Sequence, residues 1–131
     1  MRLMLDTSVL IEIEHRNPRI LDALVNYKPR EVSMSALALA EYEVGVKLGN
    51  AKKRNLATFR HLKAAYPALA FDARAGSAAA VLLAKHTLKG NQAGLFDLLI
   101  AAHANALGVT VAYCDGDFNR FAIKKQLWSD K

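Results

Sequence analysis

Leu95-Phe96-Asp97-Leu98-Leu99-Ile100-Ala101-Ala102-His103-Ala104-Asn105-Ala106-Leu107-Gly108-Val109-Thr110-Val111-Ala112-Tyr113-Cys114-Asp115 decides the fold class. Residues 95–107 are too uniformly apolar for a surface helix, and Gly108 stops them. The β-branched run Val109–Tyr113 then reads as a buried strand, and it ends at an acid. A helix returning directly into a buried strand is half of a parallel crossover unit.

The same grammar recurs outward from this stretch. Leu3–Leu5 is a short apolar strand ending at Asp6, and Thr7-Ser8 can cap a helix over Val9–Glu14. Asn17-Pro18 breaks that helix, and Arg19–Asn26 forms another. Glu31–Met34 is a second strand, and Ser35 caps a helix over Ala36–Leu48 that Gly49 ends. A basic helix spans Asn50–Tyr66, and Pro67 stops it. Leu69–Phe71 is a third strand, with Asp72 capping a helix over Ala73–Lys89. A last strand is expected near Phe121–Ile123. Strands alternating with helices mean an α/β fold with a mostly parallel sheet. The 131 residues read as a single domain, 1–131, long enough to bury a core without staples.

Cys114 is the one cysteine, so no intrachain disulfide forms, and a reducing cytoplasm is favoured. No stretch has the length of a membrane span, and the start meets Asp6 too soon for a signal peptide. The net charge is +6 with a pI near 9.6. Of 18 Lys and Arg against 12 Asp and Glu, setting four clustered acids aside leaves a surplus of 10 positive charges. A basic surface around an acidic pocket suits a protein that attracts a polyanion.

Those four acids are Asp6, Glu41, Asp97 and Asp115, each flanked by apolar residues. Carboxylates are rarely buried unless paired or bound to a cation. Asp6 and Asp115 end strands, and Glu41 and Asp97 lie near helix starts, so all four can meet outside the carboxyl ends of the strands. Hard oxygen ligands select Mg²⁺ or Mn²⁺. That chemistry suits metal-assisted cleavage of a phosphodiester. Each acid also has an ordinary reading. Asp6 and Asp97 can be helix caps, and Asp115 and Asp117 around Gly116 can be a polar turn.

The other titratable groups carry less. His103 lies off the Asp97 face and reads as a packed or subunit-contact residue, while His15, His61 and His86 read as surface or boundary residues. Cys114 reads as a small buried filler. Lys47, Lys52, Lys53, Arg54, Arg60 and Lys63 suit either RNA phosphates or plain solvation. Tyr42 and Trp128 could stack on bases, but suit core or dimer packing better. The apolar set Leu37, Leu39, Tyr42, Val44 and Val46 exceeds one core-facing stripe and offers a surface for another chain.

Four segments carry a family resemblance. They are Met4-Leu5-Asp6-Thr7-Ser8, the run from Ser33 to Glu41, the run from Phe96 to Ala104, and Asp115-Gly116-Asp117-Phe118. In this order they resemble the PIN-domain ribonucleases, and among them the VapC toxins of toxin–antitoxin pairs. The resemblance implies a three-layer α/β/α domain. It implies an Mg²⁺- or Mn²⁺-dependent endoribonuclease, leaving 5′-phosphate and 3′-hydroxyl ends. Asp6, Glu41, Asp97 and Asp115 take the catalytic positions. Asp6, Asp97, Asp115 and Asp117 take the metal, with Thr7 and Ser8 in support. It further implies a homodimer and a VapB-like antitoxin, joined in a larger hetero-oligomer, whose basic side chain can enter the acidic site. One departure is Tyr113, where the family often has Thr or Ser two residues before the fourth acid.

Three other readings stay open. One is a stand-alone PIN nuclease of RNA processing. Another is a phosphatase-like hydrolase with Asp6 as nucleophile, although that chemistry wants an acid where Ser8 stands. The last is a non-catalytic binding module, against which the intact acids argue.

Overall fold

The computed structural model describes residues 2–49, 52–88, 94–114 and 116–128, without the side chains of Lys52, Lys53, Arg54, Thr87, Leu88 and Asp117. The chain order is β1 (Leu3–Leu5), α1 (Thr7–Glu14), α2 (Pro18–Leu24), β2 (Val32–Ser35), α3 (Ala36–Leu48) and α4 (Lys52–Ala65). There follow β3 (Ala68–Leu69), α5 (Ala73–Leu88), α6 (Leu95–Leu107), β4 (Thr110–Tyr113) and β5 (Lys125–Leu127). Short 3-10 turns cover Pro29–Glu31 and Gly116–Arg120.

The sheet order is β3-β2-β1-β4-β5, and every pairing is parallel. Helices complete the three-layer α/β/α arrangement. The chain builds outward from β1 to β3, then returns to place β4 on the other side of β1. The direction of winding therefore reverses between β1 and β4, which is where open α/β sheets form their crevice. Leu3 pairs with both Val32 and Thr110, so β1 is the central strand. Leu3, Met4 and Leu5 are all fully buried, as a strand covered on both faces requires.

The core joins these strands to Val9, Leu10, Ile20, Met34, Leu62, Leu98, Ile100, Phe118 and Phe121. Helix α5 lies along α6, while α1, α3 and α4 contact one another. Gly108 ends α6 with φ +68°, a left-handed conformation that costs glycine little. The Asp72 carboxylate accepts from the Ala75 N–H at 3.0 Å, as expected of a cap. Ser35 caps α3 by accepting from the Leu37 N–H.

Several expectations need correction. The final strand is Lys125–Leu127, not Phe121–Ile123. Phe121 is instead a core side chain beyond the 3-10 turn. The third strand is Ala68–Leu69, two residues long and shifted from Leu69–Phe71. Helix α1 starts at Thr7, with Asp6 itself as the cap. His86 is buried against Phe121, ring centres 5.1 Å apart, and is no surface residue.

Candidate active site

Asp6 leaves the carboxyl end of β1, the central strand, at the point where the winding reverses. Its backbone N–H still donates to the Ala112 carbonyl of β4 at 3.0 Å. Its side chain is 2% exposed. The Ser8 hydroxyl and backbone N–H both donate to Oδ2, at 2.6 and 3.1 Å. Oδ1 is buried and accepts no hydrogen bond. Burial raises the Asp6 pKa above the ordinary carboxylate value; the Ser8 and Thr7 donors pull it back, and the Glu41 charge adds to the rise. Cap and site are thus not alternatives: one oxygen caps α1 while the other is left over.

Glu41 lies in the second turn of α3, half-buried. The Thr7 hydroxyl donates to its Oε1 at 2.6 Å. Adjacent residues of one short segment therefore hold both acids, Ser8 on Asp6 and Thr7 on Glu41. The Ser8 hydroxyl also accepts from the Cys114 N–H at 2.9 Å, which ties the exit of β4 to the exit of β1. Burial pushes the Cys114 thiol up to about 11, with Glu12 and Asp6 adding to the rise. It stays a neutral thiol at physiological pH, as a filler should.

Asp97 is in the first turn of α6, half-buried. It is not the cap; that position is Gly94. A side chain at Gly94 would bring its Cβ to 3.3 Å from Asp97 Oδ2, so glycine leaves room for the carboxylate. Helix α6 feeds directly into the start of β4, so its first turn lies at the carboxyl edge of the sheet, the edge of Asp6. His103, about 9 Å further along the helix, meets the Ser35 hydroxyl at 3.0 Å and the Phe71 ring edge-on. Burial lowers its pKa, with Asp72 and the Ala70 backbone opposing. It is a neutral packed residue.

The structure therefore links Asp6 to Glu41 through Thr7 and sets Asp97 at the same edge. Asp115 lies outside the described residues, and of Asp117 only the backbone is described, in the turn that follows. Among the described residues no three His, Cys, Asp or Glu side chains already form a cation cage. The orphaned Asp6 Oδ1 is nonetheless the kind of donor a hard cation takes. The Tyr113 hydroxyl, at the departure from the family pattern, donates to Asn119 Oδ1 at 2.5 Å, and its ring stacks on Phe118. The hydroxyl that braces this end of β4 against Asp6 comes from Ser8.

One group escaped sequence reading. Glu14, at the end of α1, accepts from the Tyr42 hydroxyl at 2.5 Å and from the Asn55 amide at 2.7 and 2.8 Å. It fastens α1 to α3 and α4 beside a cavity lined by Ile11, Glu41, Tyr42, Val46 and Asn55. Glu14→Ala removes the acceptor that these donors share, and is expected to destabilise the protein by about 2 kcal/mol in urea denaturation. Glu14→Gln, which keeps an acceptor, should lose less. Of the basic set, Arg60 is exposed and Lys63 sits over the Phe59 ring at 5.1 Å.

The PIN-domain family model matches residues 3–124. The chain belongs to this family. Among curated relatives of this PIN domain, the tRNA(fMet)-specific endonuclease VapC of Shigella flexneri is 26% identical over 111 residues, 85% of this chain and 84% of that one. Among solved structures, a DNA-bound VapBC from Salmonella typhimurium superposes with a TM-score of 0.90 at 26% identity, covering 98% of each chain. FitAcB from Neisseria gonorrhoeae gives 0.82 at 27% identity, over 94% of this chain and 95% of that one. This PIN domain is thus similar to proteins named VapC and to VapBC-type complexes.

Proposed function

We propose that this PIN domain is the endoribonuclease toxin of a VapBC-type pair, and that it cuts RNA with Mg²⁺ or Mn²⁺. The observation that carries the metal reading is Asp6. A buried carboxylate with one oxygen saturated and the other empty, beside a second acid that raises its pKa, is an unfinished arrangement without a cation. Asp6, Asp97, Asp115 and Asp117 would hold the ion, and Glu41 would face the reacting water from α3. A divalent ion supplies an acidified water and screens charge on the phosphoryl oxygens. The chain's own contribution is orientation. Ser8 fixes Asp6, Thr7 fixes Glu41, and burial keeps bulk water off Asp6.

RNA as substrate is supported by the basic surplus of the chain and by the curated VapC relatives. The basic residues that the sequence puts in α4, Lys52, Lys53, Arg54 and Arg60, would meet its phosphates. A VapB-like antitoxin is supported by the toxin–antitoxin neighbours and by apolar positions left in solvent. Ile11 of α1 is exposed and lines the cavity that holds Glu14 and Glu41, and Val44 and Leu48 of α3 are exposed as well. Exposed apolar residues next to acids suit an apolar segment carrying a basic side chain. We also take the working form to be a homodimer in the cytoplasm. Among the described residues no helix is long and apolar enough to cross a membrane.

The direct test is cleavage of total RNA by the purified protein with Mg²⁺, Mn²⁺ or EDTA. Discrete fragments that vanish with EDTA are expected. Asp97→Asn should fold normally by circular dichroism and abolish those fragments. Near-normal cutting by that variant would sink the assignment.

A further inference from the structure

We propose that Ser8 is a positioning residue that makes Asp6 a one-oxygen ligand and thereby sets which divalent cation the site accepts. This rests on the metal-dependent reading above and goes beyond it to the choice of ion.

The Ser8 hydroxyl has one proton. Its oxygen already accepts the Cys114 N–H at 2.9 Å, and its proton goes to Asp6 Oδ2 at 2.6 Å. The Ser8 N–H adds a second donor to the same oxygen at 3.1 Å. Oδ2 is committed, and Oδ1, which accepts nothing, is the oxygen left for a ligand. The two oxygens of a carboxylate are equivalent, so whichever one Ser8 holds, the other is the one left over.

Cations differ in what they ask of a carboxylate. Mg²⁺ wants a small octahedron of single oxygens, and Ca²⁺ takes 6–8 oxygens and readily accepts both from one carboxylate. With Oδ2 held by Ser8, chelation through both Asp6 oxygens would break a charge-assisted hydrogen bond. The geometry thus favours Mg²⁺ or Mn²⁺ over Ca²⁺ before any other ligand is counted. Ser8→Ala removes the hydroxyl, the shorter of the two donors, so that only the residue-8 N–H still competes with a second metal bond to Oδ2, and it takes away the hydroxyl that accepts from the Cys114 N–H.

Titration calorimetry of the full chain with Mn²⁺ and with Ca²⁺ tests this without reference to cleavage. Wild type should bind Mn²⁺ at least tenfold tighter than Ca²⁺, and Asp6→Asn should bind neither. Ser8→Ala should lose about 10–100-fold in Mn²⁺ affinity and shrink the Mn²⁺-to-Ca²⁺ ratio about tenfold. Ser8→Thr should restore both. The ratio is the deciding readout, because a merely structural loss would weaken both ions alike. A wild-type protein that binds Mn²⁺ through Asp6, with an unchanged ratio in Ser8→Ala, overturns the role of Ser8 and leaves the metal reading standing. So does Ser8→Thr behaving like Ser8→Ala. A folded wild type that binds no Mn²⁺ overturns both. Melting of each metal-free variant is measured first. If Ser8→Ala melts below assay temperature, Ser8→Cys, similar in size but a weak donor, takes its place.

Discussion

Asp6→Asn is expected to lower RNA cleavage at least 100-fold while leaving the metal-free protein as stable as wild type or more so. The first half follows from position. Residues that merely orient a metal ligand cost 10–100-fold when lost, and Asp6 is the proposed ligand itself, on the central strand at the winding reversal. The second half follows from burial. Asp6 holds its proton more tightly in the fold than in the unfolded chain, chiefly because burial disfavours the charge. For such a group the stabilising contribution is full below the unfolded pKa and is lost as pH rises through the folded one. At neutral pH the ionised carboxylate therefore works against the metal-free fold. Asn keeps an oxygen for the Ser8 donors and carries no charge. Thermal melts in EDTA from pH 4 upward should fall with pH more steeply for wild type than for Asp6→Asn. Added Mn²⁺ should raise the wild-type melting temperature at pH 7 and leave the variant unmoved. A variant that cuts RNA normally, or that unfolds at every pH, would contradict this account.

The same residue shows what a sequence can and cannot disclose. The strand Leu3–Leu5 and the acid after it are legible because their signals are local: an apolar run, then a residue that chains seldom bury. The α6–Gly108–β4 unit is legible for the same reason, and the family motif 96–104 sits within it. Thr7 and Ser8 were legible as hydroxyls near the site, but not in their division of labour. That division depends on α3 delivering Glu41 to one and β4 delivering Cys114 to the other, across 34 and 106 positions. Glu14 was silent for a related reason. Its partners, Tyr42 and Asn55, belong to helices whose spacing no periodicity records. The last strand was misplaced because Phe121–Ile123 has the better β-forming residues. Lys125-Gln126-Leu127 takes the edge only because Val111, Ala112 and Tyr113 offer it a free row of backbone partners. A lysine on an edge strand also discourages further pairing.

The turn between those two strands carries the second large prediction. Phe118→Ala is expected to cost about 3–5 kcal/mol and to lower the melting temperature on the order of 10 °C. Phe118 is fully buried, stacked on Tyr113 at 5.5 Å and edge-on to Phe121 at 5.6 Å. It follows Asp115 by three residues and anchors the 3-10 turn Gly116–Arg120 that leads from the site to β5. Removing the ring leaves a cavity under that turn, and the other described contacts of the turn lean on it. The Tyr113 hydroxyl to Asn119 is one of them, and it depends on the same ring stack. Activity should therefore fall beyond what the folded fraction explains. Ile20→Ala supplies the comparison: Ile20 is buried in α2, away from the site, and its loss costs about 2–5 kcal/mol. At a temperature where both variants remain folded, Ile20→Ala should cut RNA at the wild-type rate and bind Mn²⁺ normally. Phe118→Ala should do neither. Phe118→Leu, which keeps most of the volume, should recover much of the stability. If Phe118→Ala and Ile20→Ala lose activity only in proportion to stability, the turn is scaffold alone, and the acids it carries are not held by this ring.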